Sequence, residues 1–148
     1  LALDTQAASL SVPGIVAART LAPIIDEAAE ILKPAAGYLA PWQPQGFKPI
    51  EWARSESLAL DTQAASLSVP GIVAAQLATL DQLEKQGLDL DKAVASIGHS
   101  QGILGVMAHA DLTRAAEILA ISQLIGAAIA RQGRITHMVV AGDARPMV

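Results

Sequence analysis

The sequence predicts an α/β fold with a parallel sheet core, and three consecutive features indicate it. The short apolar run 93–97 has the composition of a strand covered on both faces. It leads into Gly98-His99-Ser100-Gln101-Gly102, a Gly-x-Ser-x-Gly pattern whose glycines allow a strand to turn sharply into a helix. An apolar segment that can form this helix starts at Ile103. Strand, turn and helix in this order are typical of α/β folds.

The first half of the chain predicts one amphipathic helix and one irregular stretch. The helix covers 20–32, because Pro23 is tolerated in a first turn and Pro34 ends the pattern. The stretch 35–52 is predicted to be irregular, because it is interrupted by Pro41, Pro44, Gly46 and Pro49. Two aromatic side chains are expected to anchor it to the core: Trp42 and Phe47.

The second half predicts two more helices and a second strand. After a break at 69–71, apolar residues at helical spacing predict a helix over 72–86, with Gly87 as its C-cap. A further helix is predicted to start near Asp111 or Thr113, to run to about residue 131 and to stop at Gly133. Residues 138–141 are predicted to form the second strand.

Residues 1–18 are repeated without a change at 58–75, and the two copies diverge at once, at Arg19 and Gln76. Natural repeat architectures recur at a regular period and drift in sequence. Because one 18-residue block recurs once, we interpret 1–18 as an artefact in which one segment is assigned twice. A recent natural duplication is the alternative. The predicted domain therefore covers 19–148.

Composition limits the possible functions. With 148 residues, 52% of them hydrophobic and 3% aromatic, the chain has enough apolar material for one core of helices against a sheet. A net charge of −4 indicates no broad surface for nucleic acid or an anionic membrane. The apolar helix around 118–130 is too short to span a bilayer. The absence of cysteine fits the reducing cytoplasm, which we expect to be the location.

Ser100 is the candidate nucleophile. A serine hydroxyl needs exposure, loss of its proton and donors that stabilise an oxyanion. The turn would expose Ser100 and would direct the backbone N–H of Gln101 toward the reacting group from a helix N-terminus.

The three histidines have different expected roles. His99 lies inside the elbow, where we expect it to support the turn rather than to transfer a proton. His109 is expected at the end of the helix after the elbow, exposed or capping. His137 leaves a serine-histidine pair open, since sequence distance does not decide such pairs. The histidines are too scattered for a zinc site, and no metal is predicted.

The segment VPGIVAAQLATLDQLEKQGLDLDKAVASIGHSQGILG at 69–105 resembles the acyltransferase domain of type I fatty acid synthases. The similarity is greatest to the acetyltransferase of the fungal and mycobacterial multienzymes. GFKPIEW at 46–52, the helix around 120–126 and the terminal RPMV at 145–148 are similar to further parts of the same domains. The resemblance covers about 19–148. It implies an incomplete acyltransferase-type subdomain of the α/β-hydrolase kind that ends near a ferredoxin-like subdomain.

The resemblance also implies acyl transfer in fatty acid synthesis. An acetyl group would pass from a coenzyme A thioester to a serine ester, and then to the phosphopantetheine thiol of an acyl carrier domain. Ser100 would be the nucleophile and the backbone N–H of Gln101 an oxyanion donor. The family's general base and second donor match no residue of this chain, so we expect the chain alone to be inactive. No bound cofactor is implied. The expected partners are the carrier, other domains of the multienzyme and further copies in a homo-oligomeric assembly.

The preference for acetyl over malonyl follows from a missing charge. Malonyl-selective relatives place an arginine on the helix after the elbow, where it grips the free carboxylate. No arginine or lysine occurs in 118–125 here. A buried malonyl carboxylate without a partner would be costly. Three apolar side chains of this helix are the predicted acyl pocket: Ile121, Leu124 and Ile125.

Two other functions remain open. An esterase or thioesterase of the α/β-hydrolase kind would use water as the acceptor and needs the chain order serine, acid, histidine. Ser100, Asp111 and His137 occur in that order. The second alternative is a non-catalytic fragment that has only a structural place in an assembly.

Overall fold

All regular elements of the described chain are helical. The computed structural model describes residues 21–54 and 64–140, and it places side chains up to Gly133 apart from Asp91. The first copy of the repeat, residues 58–63 of the second copy and residues 141–148 lie outside this range. Within the described residues, six α-helices follow one another: α1 Leu21–Leu32, α2 Ala36–Leu39, α3 Pro49–Arg54, α4 Ala65–Lys85, α5 Gly102–Ala110 and α6 Ala115–Val140. Three 3-10 turns lie between them: Lys33–Ala35, Leu90–Lys92 and Leu112–Arg114.

The predicted α/β fold with a parallel sheet is wrong for the described residues, which contain no strand. The run 93–97 is non-helical as expected, but it pairs with no neighbour in the described chain. Val94 and Ile97 are 103% and 92% exposed, the opposite of the double coverage that their apolar character predicts. The predicted strand at 138–141 is also wrong, because 138–140 continue α6. Residue 141 lies outside the described range.

The longest helix, α6, lies at the centre of the packing. It contacts α1, α4 and α5, and α4 is its most extensive partner. Small and aliphatic side chains of α6 are fully buried, among them Ala115, Leu119 and Ala127. Gly126 allows the close approach of α4, because a Cβ there would lie 2.5 Å from the carbonyl oxygen of Ala65. The core is therefore built between helices, with α6 in the place where a sheet was expected.

Helix α4 begins at Ala65, seven residues before the predicted start, and passes through the proline that the sequence treats as a break. Pro70 has no N–H, so it leaves the carbonyl oxygen of Ser66 without its helical donor. The buried side chain of Gln43 supplies the missing donor through Nε2, at 2.7 Å from that oxygen. The Ser66 hydroxyl in turn donates to the Trp42 carbonyl at 3.0 Å. These contacts compensate for the proline and fasten the irregular segment to α4.

The predicted end of α4 is confirmed. Gly87 has a φ of +97°, the left-handed conformation of a helix C-cap. Its N–H donates to the Glu84 carbonyl at 2.9 Å, and the N–H of Leu88 donates to the Leu83 carbonyl at 3.0 Å. These two bonds form a Schellman motif, which satisfies the last carbonyls of the helix.

The stretch 35–52 is more ordered than predicted, since α2 and α3 form within it. The expected anchoring is confirmed: Trp42 and Phe47 are partly buried against the core. Phe47 also meets Trp52 edge to face, with ring centroids 5.5 Å apart. The predicted helix over the first described residues is confirmed as α1, with Pro23 in its first turn.

Helix α6 starts close to its predicted position. Asp111 caps the preceding 3-10 turn by accepting the N–H of Thr113 at 3.1 Å. The helix does not stop at Gly133, however, but continues to Val140.

By length and composition Leu112–Gly133 could cross a membrane, with a mean hydropathy of 1.4. Half of that apolar stretch is buried within the protein, as in helices that form the core of a domain.

Candidate active site

Ser100 lies exposed at the tip of a tight turn that leads directly into α5. Its φ of +54° is the one positive value among the non-glycine residues of the described chain. A serine gains nothing intrinsically from this left-handed conformation, so the surrounding structure must impose it. The turn therefore has the strained backbone of a nucleophile elbow, although no strand precedes it.

Gly98 makes the turn possible by having no side chain. A Cβ at this position would lie 2.5 Å from both the carbonyl carbon and the oxygen of Gly102, and 2.6 Å from the nitrogen of Ile103. These are backbone atoms at the start of α5, so they cannot move without displacing the helix. Residue 98 must therefore be glycine for the turn to close. The first glycine of the motif has the steric role that the sequence predicts.

The first turn of α5 is arranged to leave one donor available beside Ser100. The N–H groups of Gly102 and Ile103 donate to the carbonyls of His99 and Ser100, at 2.9 and 3.2 Å. No carbonyl of the described chain accepts the N–H of Gln101, which is the N-cap residue of α5. A free N–H at a helix N-terminus is suited to stabilise negative charge. An N–H without a backbone acceptor is one requirement for Gln101 to act as an oxyanion donor.

No histidine is brought into a hydrogen bond with the Ser100 hydroxyl within the described chain. His99 is exposed, and its carbonyl supports the turn as described above. His109 is half-buried at the end of α5, where the sequence placed it. His137 belongs to α6, but its side chain lies outside the described placements. The described residues also contain no group of three histidines and carboxylates that could hold a metal ion.

A cavity of about 690 Å³ lies between α4 and α5 and reaches the elbow. Gly98 and His99 belong to its wall, whereas Ser100 does not. Helix α4 contributes aliphatic side chains such as Ile72 and Leu80, and α5 contributes Val106. Among the described residues, no lysine, arginine, aspartate or glutamate lines the cavity, and His99 and His109 are the titratable residues in its wall. The wall is therefore mainly apolar.

Gln76 is the residue of this region that the sequence analysis missed. It lines the cavity from α4, and its Oε1 is buried with no hydrogen-bond partner among the described residues. Its amide packs on Gly105 of α5, where a Cβ would collide with it. The signal available in the sequence was the spacing of Ile72, Gln76 and Leu80. This spacing places a polar residue within an apolar helical face.

The three predicted pocket residues do not line this cavity. Ile121 and Ile125 are 42% and 38% exposed on α6, and Leu124 packs partly buried against the core.

Comparison with known proteins adds no relative. No family model matches the chain, and no curated protein or solved structure matches it either. The resemblance to acyltransferase domains therefore depends on the motifs quoted above.

Proposed function

We propose that this chain supplies the nucleophile of an acyltransferase in fatty acid synthesis. An acetyl group would pass from coenzyme A, through an ester on Ser100, to the phosphopantetheine thiol of an acyl carrier domain. The observation that carries the proposal is the left-handed backbone of Ser100, exposed at the N-terminus of α5. Strained residues of this kind are concentrated at active sites. The motifs around the elbow resemble those of acyltransferases, and this resemblance is the reason for proposing acyl transfer as the reaction class.

The proposed reaction has two balanced steps. In the first, the Ser100 oxygen bonds to the thioester carbonyl carbon, the carbon-sulfur bond breaks, and the serine proton ends on the released thiol. In the second, the carrier thiol attacks the ester, its proton returns to Ser100, and a new thioester forms. Both steps place negative charge on the carbonyl oxygen. The free N–H of Gln101 would stabilise that charge.

The surroundings of Asp111 count against the hydrolase alternative. That alternative needs Asp111 to orient a histidine. The Oδ1 atom of Asp111 instead accepts from the backbone N–H of Thr113 at 3.1 Å, and the Thr113 hydroxyl donates to the same atom at 2.5 Å. This carboxylate is committed to capping the turn before α6. We therefore place carrier-directed transfer ahead of hydrolysis.

The general base is not assigned to a residue of this chain, in line with the resemblance. The proposed setting is a cytoplasmic, homo-oligomeric multienzyme, in which further residues of the same acyltransferase domain supply the base and the second oxyanion donor. The carrier domain is the proposed partner.

The test is covalent labelling of Ser100 in the polypeptide as isolated from its source. A denaturing intact mass first gives its length and shows whether the repeated block occurs once or twice. The protein is then mixed with acetyl-labelled coenzyme A, and the labelled peptide is located by mass spectrometry. We expect one label on the peptide that contains Ser100, and its release on addition of a phosphopantetheine thiol.

Two variants give the controls. Ser100→Ala should remove the label completely, whereas Ser68→Ala, a change on α4 outside the cavity wall, should retain it. Release by water as fast as by the thiol would support the hydrolase. Absence of any label on the wild-type protein would contradict the transferase and leave the non-catalytic fragment as the better explanation.

A further inference from the structure

We propose that the cavity between α4 and α5 binds the hydrocarbon chain of neutral acyl groups longer than acetyl. This inference rests on the proposed function, since it names the acyl substrate of the same serine. It also extends that function, because an acetyl transferase has no need of a cavity of this size.

The size of the cavity fits a small-molecule site. Its volume of about 690 Å³ lies inside the usual range for ligand pockets, roughly 300–1,000 Å³. Helices α4 and α5 form two of its sides, and the segment 90–99, which includes the first part of the elbow, forms the third. Gly102 and Gly105 keep the α5 side of the cavity free of bulky side chains.

The wall chemistry selects the class of acyl group. Ile72, Leu80 and Val106 offer aliphatic surface, which favours burial of a hydrocarbon chain. A terminal carboxylate in the cavity would find no lysine or arginine among the residues that line it, and the imidazoles of His99 and His109 are the titratable groups there. Burial of an unpaired charge is strongly unfavourable. The cavity therefore favours uncharged hydrocarbon chains over malonyl-type groups.

The position of the cavity sets a minimum chain length. Gly98, His99 and Gly102 line it on both sides of Ser100, but Ser100 itself lies outside the wall. An acyl group on the serine must therefore pass the backbone of the turn before it enters. An acetyl group ends at its first methyl, so only a longer chain gains contact with α4 and α5. The cavity should therefore raise the rate of Ser100 labelling by long acyl groups relative to the rate of labelling by acetyl.

The experiment compares octanoyl and acetyl thioesters of N-acetylcysteamine, which are both uncharged. On the wild-type polypeptide as isolated from its source, Ser100 labelling is measured with each thioester, and the ratio of the octanoyl rate to the acetyl rate is recorded. Val106→Phe and Ala93→Phe each introduce an aromatic ring into the cavity wall. Because residue 93 lies outside any helix, Ala93→Phe tests the cavity even if Val106→Phe disturbs the folding of α5. Each should lower the octanoyl to acetyl ratio by about tenfold. Met107→Phe, an exposed neighbour of Val106 outside the wall, should leave it unchanged.

Binding is measured separately from chemistry with Ser100→Ala. Calorimetry should detect octanoyl-N-acetylcysteamine, and Val106→Phe or Ala93→Phe should weaken its affinity. No octanoyl binding, or a ratio that Met107→Phe lowers as much as the wall variants do, would overturn the cavity assignment. Acetyl labelling that persists in that case would leave the proposed function intact. Octanoyl binding without labelling of Ser100 by either thioester would overturn the reaction and, with it, the assignment of this cavity to an acyl substrate.

Discussion

At the scale of single residues, the elbow stores backbone strain at Ser100 and avoids a clash at Gly98. A non-glycine residue in a sparsely populated backbone region costs about 1–3 kcal/mol, which the neighbouring structure has to offset. The start of α5 provides that support through the bonds from Gly102 and Ile103. Those bonds require Gly98 to approach Gly102 more closely than any residue with a Cβ could.

We therefore expect Gly98→Ala to damage the elbow specifically. The new methyl group would press on backbone atoms of Gly102 and Ile103, and we expect a loss of about 2 kcal/mol in the free energy of unfolding. Ser100 labelling should fall with it, because the turn would open. Urea unfolding and the labelling assay measure the two effects.

Gly37→Ala is the matched control. A Cβ there meets nothing within 4 Å, and Gly37 lies in α2, so alanine should change stability by less than about 1 kcal/mol and in the favourable direction. Equal losses for the two variants would show that the clearance at Gly98 has no special role.

At the scale of elements, α4 depends on a partner outside its own sequence. Pro70 deprives the Ser66 carbonyl of its helical donor, and Gln43 replaces that donor from the segment after α2. A buried acceptor left unsatisfied costs about 1–3 kcal/mol. The early start of α4 and the position of the irregular segment are therefore coupled through one hydrogen bond.

A double-mutant cycle measures this coupling. Gln43→Leu alone should lower the free energy of unfolding by about 2 kcal/mol, since it leaves the Ser66 oxygen buried without a donor. In a Pro70→Ala background the new N–H of residue 70 can serve that oxygen. The same Gln43→Leu change should then cost about 1 kcal/mol less. An equal cost in both backgrounds, measured by urea unfolding, would contradict the compensation.

At the scale of the whole molecule, α6 organises the described chain. Its buried face meets α1, α4 and α5, whereas an opposite stripe stays exposed at Ile121, Ile125 and Ile129. Loss of a residue from the buried face removes contacts to several helices at once. Loss of one from the exposed stripe removes few.

We expect Leu119→Ala to cost about 3 kcal/mol of stability, because Leu119 is fully buried at the centre of the core. Ile125→Ala deletes a similar volume from the same helix and should cost less than about 1 kcal/mol. Thermal and urea unfolding of the pair measure the difference. Similar losses for both would mean that the exposed stripe is covered in the protein studied.

The parts of this molecule that the sequence predicts are those that local chemistry decides. The first helix, the cap at Gly87 and the capping Asp111 follow from proline, glycine and aspartate signals that act within a few residues. The steric role of Gly98, the first glycine of the elbow, follows from the sequence in the same way. The identity of the nucleophile stays a prediction.

The prediction of a sheet is wrong because strand pairing is a non-local property. The run 93–97 has the composition of a buried strand, but composition cannot show whether another strand lies alongside. The predicted start of α4 is wrong for a related reason. The hydrogen bond that allows the helix to pass through the proline comes from Gln43, which lies 23 residues before Ser66. The cavity was missed because its wall combines two helices with the segment 90–99, and no single motif marks that combination.

The exposed run 93–97 also bears on how the protein behaves in concentrated solution. Among the described residues, its apolar side chains Val94 and Ile97 have no cover, and the backbone of 94–97 makes no hydrogen bond. Such a segment can template association between molecules, which net charge opposes. That charge vanishes near pH 5.2, so light scattering should rise there and Val94→Lys should suppress it. Scattering that is independent of pH would assign the association to another surface.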